Sequence, residues 1–439
     1  MTGTKTVTKK AMLVAVLLAT FMAMLDASVV TLALPSIGGS LAGLQWVLDG
    51  YVVALATVML TGGALGDRYG RKKAFLAGLV VFTLASAGCA LAPDTGWLVA
   101  ARVLQGAGAS VLVPGGLSLI AQAFPDPRER ARMLGIGGLV GGLGFVVGPL
   151  LGGPLTDAFG WRSIFLLNLP LGVVALVAGR RAIEESADPE HTALDPAGQV
   201  LAVAWTGLVV YAVIEAGHAG WADATVLCCL AAGLLCLAAF VAVERRSPRP
   251  MLPVALFRRA AFSVVNVASF VLGAASYGGY FLLSLYLQTV RGVSATEAGL
   301  WFLPMMSATA LASVLTGRLP HRVSLLGGYA LCTVALLVLP VLDASTSYPV
   351  LVVLFVLLGA GMGLALPPTN LAAIGAAPRE RSGIASATVN TARQTGTALG
   401  IAVLGTVASA TADFAAGFVI AGVASAIVTV ALATTVRAG

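Results

Sequence analysis

One ionisable side chain, Asp26, interrupts a run of apolar and small residues from Ala11 to Leu34. A hydrocarbon core about 30 Å thick takes about 20 helical residues to cross, and at ~1.5 Å per residue Asp26 lies about 22 Å along such a helix. A carboxylate at that depth costs on the order of 2.5–3.5 kcal/mol. Snorkelling to the nearer interface is the weaker alternative, because the aspartate stem is short. We therefore expect Asp26 to be a protonatable group that faces a polar cavity and has partners on other helices.

Arg102 is a cation that could partner Asp26, about one turn inside another apolar run at 97–121. It either snorkels outward along its long stem or pairs with Asp26, which lies at a similar depth. A nearby guanidinium stabilises an ionised aspartate, whereas burial favours the neutral acid. A carboxylate under both influences changes its protonation when its partner moves, as proton coupling requires.

The composition places these two residues in a membrane. A mean hydropathy of +0.95, with 58% hydrophobic and 10% charged residues, excludes a soluble globular protein. We expect an all-α, polytopic membrane protein with 14 transmembrane helices. The five cysteines lie in apolar runs without metal-ligand or disulfide spacing, so no metal site is expected. No cofactor is expected either, apart from protons as the coupling ion. The fourteen apolar runs are 11–34, 46–66, 74–92, 97–121, 133–155, 161–179, 197–217, 222–243, 261–287, 295–317, 323–342, 349–375, 382–409 and 414–436.

The distribution of Lys and Arg between alternate loops predicts the topology. With the N-terminus in the cytoplasm, 22 of the 26 basic residues fall in inside segments and two, Arg162 and Arg291, in outside loops. The remaining two, Arg102 and Arg393, lie within spans. Both termini are therefore predicted to be cytoplasmic. The first run is expected to be a retained helix rather than a signal peptide, because it is long and similar runs follow it.

An internal repeat divides the chain. Gly106-Ala107-Gly108, Pro114 and Pro127-Arg128-Glu129-Arg130 recur as Gly359-Ala360-Gly361, Pro367 and Pro378-Arg379-Glu380-Arg381. The fourth run therefore matches the twelfth, an offset of eight helices, where a plain twelve-helix chain would give six. We expect a six-helix N-terminal bundle at 1–182, a linker with two extra helices at 183–258, and a six-helix C-terminal bundle at 259–439. The two extra helices carry few polar groups and are expected to flank the bundles.

A glycine-rich basic turn connects the second and third runs, Gly63-Ala64-Leu65-Gly66-Asp67-Arg68-Tyr69-Gly70-Arg71-Lys72-Lys73. It is either an ordinary cytoplasmic turn or a gate, because Asp67 can pair with an Arg and with the N-terminus of another helix until the pair breaks. The turn closely resembles the loop signature of the major facilitator superfamily, with Gly66 in place of the usual alanine. The second-half counterpart, 317–322, has no acidic residue. The resemblance implies gating roles for Gly63, Asp67, Arg68, Gly70, Arg71 and Lys72.

The fifth run carries Gly144, Gly148, Pro149, Gly152 and Gly153. Small residues four apart permit close helix contact and the proline bends the helix, so plain packing and a rocking seam both fit this pattern. The spacing is similar to the motif associated with antiporters of the same superfamily rather than with its uptake symporters. The resemblance therefore implies exchange transport.

Three further segments, 25–35, 161–172 and 390–396, resemble the fourteen-helix drug:proton antiporter branch of that superfamily. The resemblance implies a multi-pass protein of the bacterial inner membrane that exports lipophilic drugs or antibiotics by alternating access, with Asp26 and Arg102 coupling protons. The expected partners are a small-molecule substrate and the lipid bilayer, with no nucleic acid and a monomeric state. A proton-coupled uptake symporter and a specific metabolite exporter of the same fold are the alternatives. A membrane-embedded enzyme is not favoured, because no run carries converging ligands such as a helical H-E-x-x-H.

Possible substrate contacts are Asp49, Gln105, Asn390, Arg393 and Gln394. Asp49, near the outer end of the second span, is either a second acidic site or an interfacial residue, and we favour the interfacial position. Arg393 either binds an anionic group or pairs with helix-end carbonyls. Because Asp26 and Asp49 are both acidic, a lipophilic cation is slightly favoured as cargo.

Overall fold

The computed structural model describes residues 2–187, 195–247, 250–252, 254–341, 345–378, 382–411 and 414–435. All regular secondary structure in these ranges is helical. The physical reason is the bilayer, where a helix pairs its backbone N–H and C=O groups within itself and an open strand leaves them unpaired in hydrocarbon. The predicted all-α class is confirmed.

The first half of the chain forms six spans. Polar caps begin several of its helices: Asp94 accepts a hydrogen bond from the Trp97 N–H, and Asp126 accepts one from the Glu129 N–H, each at 2.8 Å. The sixth span, Arg162–Ala182, consists of two shorter helices. The helices are α1 (Thr2–Ile37), α2 (Leu41–Tyr69), α3 (Arg71–Ala90), α4 (Thr95–Ala123), α5 (Pro127–Phe159), α6 (Arg162–Leu166) and α7 (Asn168–Ala182).

A helical hairpin and the second half follow: α8 (Pro196–Ala219), α9 (Ala224–Arg246), α10 (Ala260–Leu272), α11 (Gly278–Leu285), α12 (Ala295–Leu315), α13 (His321–Val338), α14 (Tyr348–Ala376), α15 (Ser382–Thr411) and α16 (Phe414–Thr435). Two π-helical turns, Gly273–Tyr277 and Tyr286–Val290, flank α11, so that α10 and α11 belong to one span, Ala260–Val290. In the hairpin, α8 packs against α2 and α15, one helix from each half, and α9 packs on α8.

The helices of the described ranges have membrane-spanning dimensions. Thirteen helical segments in these ranges are long and apolar enough to cross a bilayer. They correspond to thirteen of the fourteen predicted runs, and the remaining run is α15, a 30-residue helix whose first half is rich in Thr, Asn, Arg and Gln. Large apolar side chains point outward, such as Leu235 of α9, which is 71% exposed in the isolated chain. Such surfaces are covered by lipid in a membrane protein.

The glycines of the internal repeat occupy equivalent packing positions. A Cβ on Gly108 of α4 would lie 2.8 Å from a backbone nitrogen of α3, and a Cβ on Gly361 of α14 would lie 2.7 Å from a backbone nitrogen of α13. Gly106 and Gly359 approach the backbones of α2 and α12 in the same way. Only glycine allows helices to come this close. The repeat in the sequence is therefore a repeat in packing, with α4 and α14 holding the same place in their halves.

Hydrogen bonds between the two halves gather on one side of the molecule, opposite the α2–α3 turn. We call the side that carries this turn the basic side. On the opposite side, Gln45 of α2 donates to the carbonyl oxygens of Ile401 and Ala402 in α15, at 3.2 and 2.9 Å. Asp157 at the end of α5 accepts a hydrogen bond from the backbone N–H of Thr296 in α12 at 2.8 Å. These contacts hold the halves together at the end away from the basic side.

Candidate functional site

Asp26 lies at the centre of a polar cluster formed by four helices. Its side chain has no exposed surface. One carboxylate oxygen pairs with the Arg102 guanidinium of α4. The other accepts hydrogen bonds from Gln105 Nε2 at 2.8 Å and from Asn168 Nδ2 of α7 at 3.1 Å. Gln105 Nε2 also lies 2.8 Å from the hydroxyl of Ser86 in α3, so the cluster ties α1, α3, α4 and α7 together.

The guanidinium of Arg102 is held on several sides. The Arg102 side chain is only 1% exposed. Its Nε donates to the Val47 carbonyl oxygen of α2 at 3.0 Å, and its Nη1 donates to Gln105 Oε1 at 2.7 Å. The Tyr51 ring centroid lies 4.3 Å from Arg102 Cζ, a cation–π contact. Arg102 therefore turns into the protein towards Asp26 and does not snorkel to the interface.

The Asp26–Arg102 pair depends on both of its charges. Removing two ions from water costs several kcal/mol per ion, and their attraction offsets this cost only with good geometry and additional hydrogen bonds. Gln105 and Asn168 supply such hydrogen bonds to the carboxylate. A proton that binds Asp26 removes one charge of the pair and leaves Arg102 without its counter-ion. The arrangement can therefore convert protonation into a change of contact between α1 and α4.

A cavity of about 700 Å³ lies between the two halves beside this cluster. Its wall includes Arg102 and Tyr51 at one end and reaches Gly66 and Arg71 at the basic side. Near the opposite side the hydroxyl of Ser284 in the second half donates to the Thr31 carbonyl oxygen of α1 at 2.9 Å. The volume is within the range of small-molecule sites. Most of the wall is aromatic or aliphatic, including Met24, Met59, Phe75, Phe145, Tyr277, Tyr280 and Phe281.

Three polar residues singled out in the sequence line this cavity from α15: Asn390, Arg393 and Gln394. Arg393 Nη2 donates to Asn390 Oδ1 at 3.0 Å, and Asn390 Nδ2 donates to Asn370 Oδ1 of α14 at 3.1 Å. Arg393 Cζ lies 6.0 Å from the ring centroid of Tyr277. The Arg393 side chain thus faces the cavity and is oriented by two amides, with no hydrogen bond to a helix-end carbonyl among the described residues.

Gln105 does not reach the cavity wall in this structure, so the expected substrate contact stays a prediction. Its side chain is fully buried and does not line the cavity. Its amide oxygen accepts from Arg102 and its amide nitrogen donates to Asp26 and Ser86. Gln105 therefore positions the Asp26–Arg102 pair, and both ends of its amide are used in hydrogen bonds within the cluster.

The interfacial position favoured for Asp49 is wrong, and Asp49 does not line the cavity either. Its side chain has no exposed surface, and within the described chain neither carboxylate oxygen has a hydrogen-bond partner. Asp49 shares a helix face with Gln45 and Val53. Gln45 bonds to α15, and Val53 packs against α8 and α15, so Asp49 lies where these three helices meet. Hydropathy along the sequence could not reveal that α8 covers this face.

The predicted gate in the α2–α3 turn is described only in part. At Gly63 and Asp67 the structure describes only the helical backbone, so the expected gating pair stays a prediction. Arg68 is exposed, and Arg71 lines the basic end of the cavity. Gly70 has a φ of +113°, in the region that favours glycine, which explains its place in the turn.

A different carboxylate lies at the start of α3. Glu185, just after α7, accepts hydrogen bonds from the backbone N–H groups of Lys72 and Lys73 at 3.1 and 3.3 Å. A carboxylate at a helix N-terminus is stabilised by the free N–H groups and the helix dipole. Glu185 lies more than a hundred residues beyond this turn, and nothing in the sequence motif pointed to it.

The glycines of α5 form a flat strip against α1. A Cβ on Gly144 would lie 2.6 Å from the carbonyl oxygen of Phe21, which means that the backbones are in contact. Gly148 and Gly152, each four residues further along, lie directly against the side chains of Ser28 and Val29 of α1. This face of α5 therefore serves helix packing within the first half.

The neighbouring face of α5 belongs to the seam between the halves. A Cβ on Gly153 would lie 2.6 Å from the carbonyl oxygen of Ala295 at the start of α12. The Pro149 carbonyl oxygen lies against Gly299, one turn further along α12, with no room for a Cβ. Packing and a rocking seam are thus both present, on different faces of one helix.

Sequence reasoning assigned no role to several members of the site. Asn168 had the clearest signal, because an amide within an apolar run needs a hydrogen-bond partner. Ser86, Tyr51 and Tyr280 had none, because serine and tyrosine are ordinary residues in membrane helices. Only the packing of the helices shows that these side chains meet Asp26, Arg102 or the cavity.

Comparison with known proteins agrees with this architecture. The profile of the Major Facilitator Superfamily matches residues 16–401 and 265–438. The multidrug resistance protein Stp of Mycobacterium tuberculosis is 38% identical over 406 residues, 91% of this chain and 75% of that protein. The methylenomycin A resistance protein of Bacillus subtilis is 34% identical over 414 residues, 92% and 89% of the two chains. A crystal structure of the peptide transporter POT with sulfate has the same fold, with a TM-score of 0.70 at 19% identity over 98% of this chain and 95% of that chain. This protein belongs to the major facilitator superfamily.

Proposed function

We propose that this protein exports small lipophilic molecules, such as drugs or antibiotics, across the bacterial inner membrane in exchange for protons. The observation that carries the proposal is the buried Asp26–Arg102 pair, whose arginine lines a large cavity between the two halves. Because the titratable carboxyl contacts a cavity-lining cation, proton binding alters both the cavity and the helix packing. Relatives named for multidrug resistance and for methylenomycin A resistance support toxic small molecules as the cargo.

The orientation in the membrane follows from charge. We assign the basic side and both termini to the cytoplasm, because Lys and Arg concentrate in the loops predicted on that side. With this assignment the cavity reaches the cytoplasm, and the Gln45 and Asp157 contacts close the external side. The conformation is then inward-facing, with the site between the halves, as in other repeat-built transporters.

In the proposed cycle Asp26 carries the proton. The protein works as a monomer and needs no cofactor. In the outward-facing state Asp26 takes a proton from outside, Arg102 is released and the cargo leaves. The halves then rock about the α5–α12 and α2–α15 seams. In the inward-facing state the proton leaves to the cytoplasm, the Asp26–Arg102 pair forms again and new cargo binds.

The membrane potential can supply the required energy. Moving one charge through 100 mV provides about 2.3 kcal/mol, or near fifty-fold in concentration for each proton. A gradient of that size is enough to keep an intracellular toxin low without ATP. The same energy would also drive uptake in a symporter of this fold, so the direction of flux distinguishes the two functions.

The cargo is first sought with a panel of toxic compounds against cells with and without the protein. A compound that the protein protects against is then followed in inside-out vesicles with an imposed pH gradient. We expect uptake into these vesicles, which corresponds to export, and loss of the proton-driven component in Asp26→Asn with normal insertion. Glu184→Gln, a charge change at an exposed position, is the control and is expected to keep full activity.

Unchanged pH-dependent transport in Asp26→Asn would remove Asp26 from the mechanism. Proton-driven flux in the opposite direction would identify a symporter. Transport of one metabolite alone would identify a specific exporter.

A further inference from the structure

The charged residues on the cavity wall all have the same sign. Among the described lining residues, the charged ones are Arg71, Arg102 and Arg393, and none is an aspartate or a glutamate. Asp26 is hidden behind Arg102, and Asp49 lies outside the wall. The acidic groups that favoured a cationic cargo at the level of the sequence are therefore not presented to a ligand.

Arg393 differs from Arg102 because no carboxylate of the described chain neutralises its charge. The charge of Arg102 is balanced by Asp26, whereas no carboxylate lies within ion-pair distance of Arg393 in the described part of the chain. The hydrogen-bond partner of Arg393 is the neutral oxygen of Asn390, and the Tyr277 ring lies nearby. A guanidinium stays charged in proteins, so this positive charge faces the cavity without a counter-ion.

The neighbours of Arg393 orient it for binding. Asn390 is itself fixed by Asn370 Oδ1 at 3.1 Å and by the Ser386 carbonyl oxygen at 2.9 Å. This amide chain restrains the guanidinium and leaves its other N–H groups for a ligand. Aromatic side chains cover the adjacent wall, Phe145, Tyr277, Tyr280 and Phe281. The site thus combines one fixed cation with a large apolar surface.

We propose that Arg393, positioned by Asn390 and Asn370, binds an anionic group of the cargo, and that the preferred cargo is a lipophilic acid. The proposal specifies the substrate class of the export function proposed above and rests on that function for its physiological meaning. A carboxylate or sulfonate can accept two parallel hydrogen bonds from a guanidinium, and such charge-assisted bonds are stronger than neutral ones. Beside a wall of low polarity the same contact is electrostatically stronger than it would be in bulk water. A cationic cargo would instead approach Arg393 as a like charge.

Three pyrene probes with the same aromatic body test the preference: pyrenebutyrate, pyrenebutanamide and pyrenebutylamine carry negative, zero and positive charge. Binding to the purified full-length protein in lipid nanodiscs is followed by the fluorescence of pyrene. We expect the acid to bind on the order of tenfold or more tightly than the amide, from the typical strength of a hydrogen bond to a charged group, and the amine to bind least. Arg393→Gln removes this preference and leaves binding of the amide unchanged. Arg393→Lys retains part of the preference for the acid, because lysine keeps the positive charge but cannot donate two parallel hydrogen bonds to a carboxylate.

Arg318→Gln is the matched control, since it makes the same change of charge at an exposed position that does not line the cavity. It is expected to keep the preference for the acid. Binding of the neutral amide shows in each variant that the cavity is intact, so a misfolded variant is recognised. Equal binding of acid and amine by the unaltered protein, or an acid preference that survives in Arg393→Gln, would overturn the proposal. Because the assay needs no gradient and no transport, it separates this proposal from proton-driven export: the acid can bind while export fails, and export can occur with a cationic cargo.

Discussion

Gly153 of α5 lies so close to α12 that a Cβ on it would be 2.6 Å from the carbonyl oxygen of Ala295. The nearest atoms belong to the backbone, which cannot rotate away as a side chain can. The contact lies in the seam that joins the two halves on the side opposite the basic turn. Its closeness therefore stabilises the conformation in which that side is closed.

Gly153→Ala is expected to shift the protein away from this closed conformation. Overpacking costs about 1–3 kcal/mol, which corresponds to a shift of roughly 5- to 150-fold towards opening of the far side. The measurement is the labelling rate of Thr31→Cys, in a background without native cysteines, by a membrane-impermeant maleimide. Gly142→Ala on the same helix is the control, because nothing lies within 4 Å of a Cβ at that position. Equal labelling in the two variants would reduce the α5–α12 contact to ordinary packing.

Removal of Arg102 alone is expected to be worse for the fold than removal of the whole pair. Arg102→Ala leaves the Asp26 carboxylate buried without its cation, at a cost on the order of 3–5 kcal/mol. The double variant Asp26→Asn with Arg102→Gln keeps hydrogen-bonding groups but no charge, and is expected to recover most of that stability without proton coupling. Thermal unfolding in one detergent measures the difference. If the losses in the single variants Asp26→Asn and Arg102→Gln add up to the loss in the double variant, the charges do not interact.

Asp49→Leu is expected to maintain or raise stability. A buried polar group without a hydrogen-bond partner costs about 1–3 kcal/mol, and leucine has a similar reach without that cost. Gln45→Leu, one turn away on the same face, is expected to lower stability because it removes two hydrogen bonds to α15. The melting temperatures of the two variants should therefore move in opposite directions. A clear loss of stability in Asp49→Leu would mean that the carboxyl has a partner in the folded protein.

Exchange of a proton for an anionic cargo moves two charges in each cycle. Each charge contributes about 2.3 kcal/mol per 100 mV, so a potential that is negative on the cytoplasmic side drives both movements. In proteoliposomes with a potassium diffusion potential and no pH gradient, we expect faster export of pyrenebutyrate as the potential grows. Exchange of pyrenebutylamine for a proton moves no net charge and should not respond. Export of the acid that is independent of potential would contradict a one-to-one exchange.

The spans and their repeat were predictable because their causes are local in the chain. A bilayer requires about 20 apolar residues in a row, which makes each span visible without its neighbours. The glycines at 106–108 and 359–361 recur because each must let one helix touch another, and the structure shows both pairs in that contact. The costly charges Asp26 and Arg102 were conspicuous for the same reason. An ionisable group within an apolar run needs an explanation whatever surrounds it.

Which groups meet these charges was decided only by the tertiary structure. Asn168 and Asp26 are 142 residues apart, and Glu185 reaches a turn more than a hundred residues before it. Asp49 and Arg393 are both ionisable residues within spans. Helix packing covers Asp49 completely, whereas it leaves Arg393 facing the cavity. The amino-acid sequence alone thus determined that this is a polytopic transporter-like chain with buried charges. The charge that faces the cargo depends on how helices far apart in sequence pack, because each side chain's surroundings come mainly from other helices.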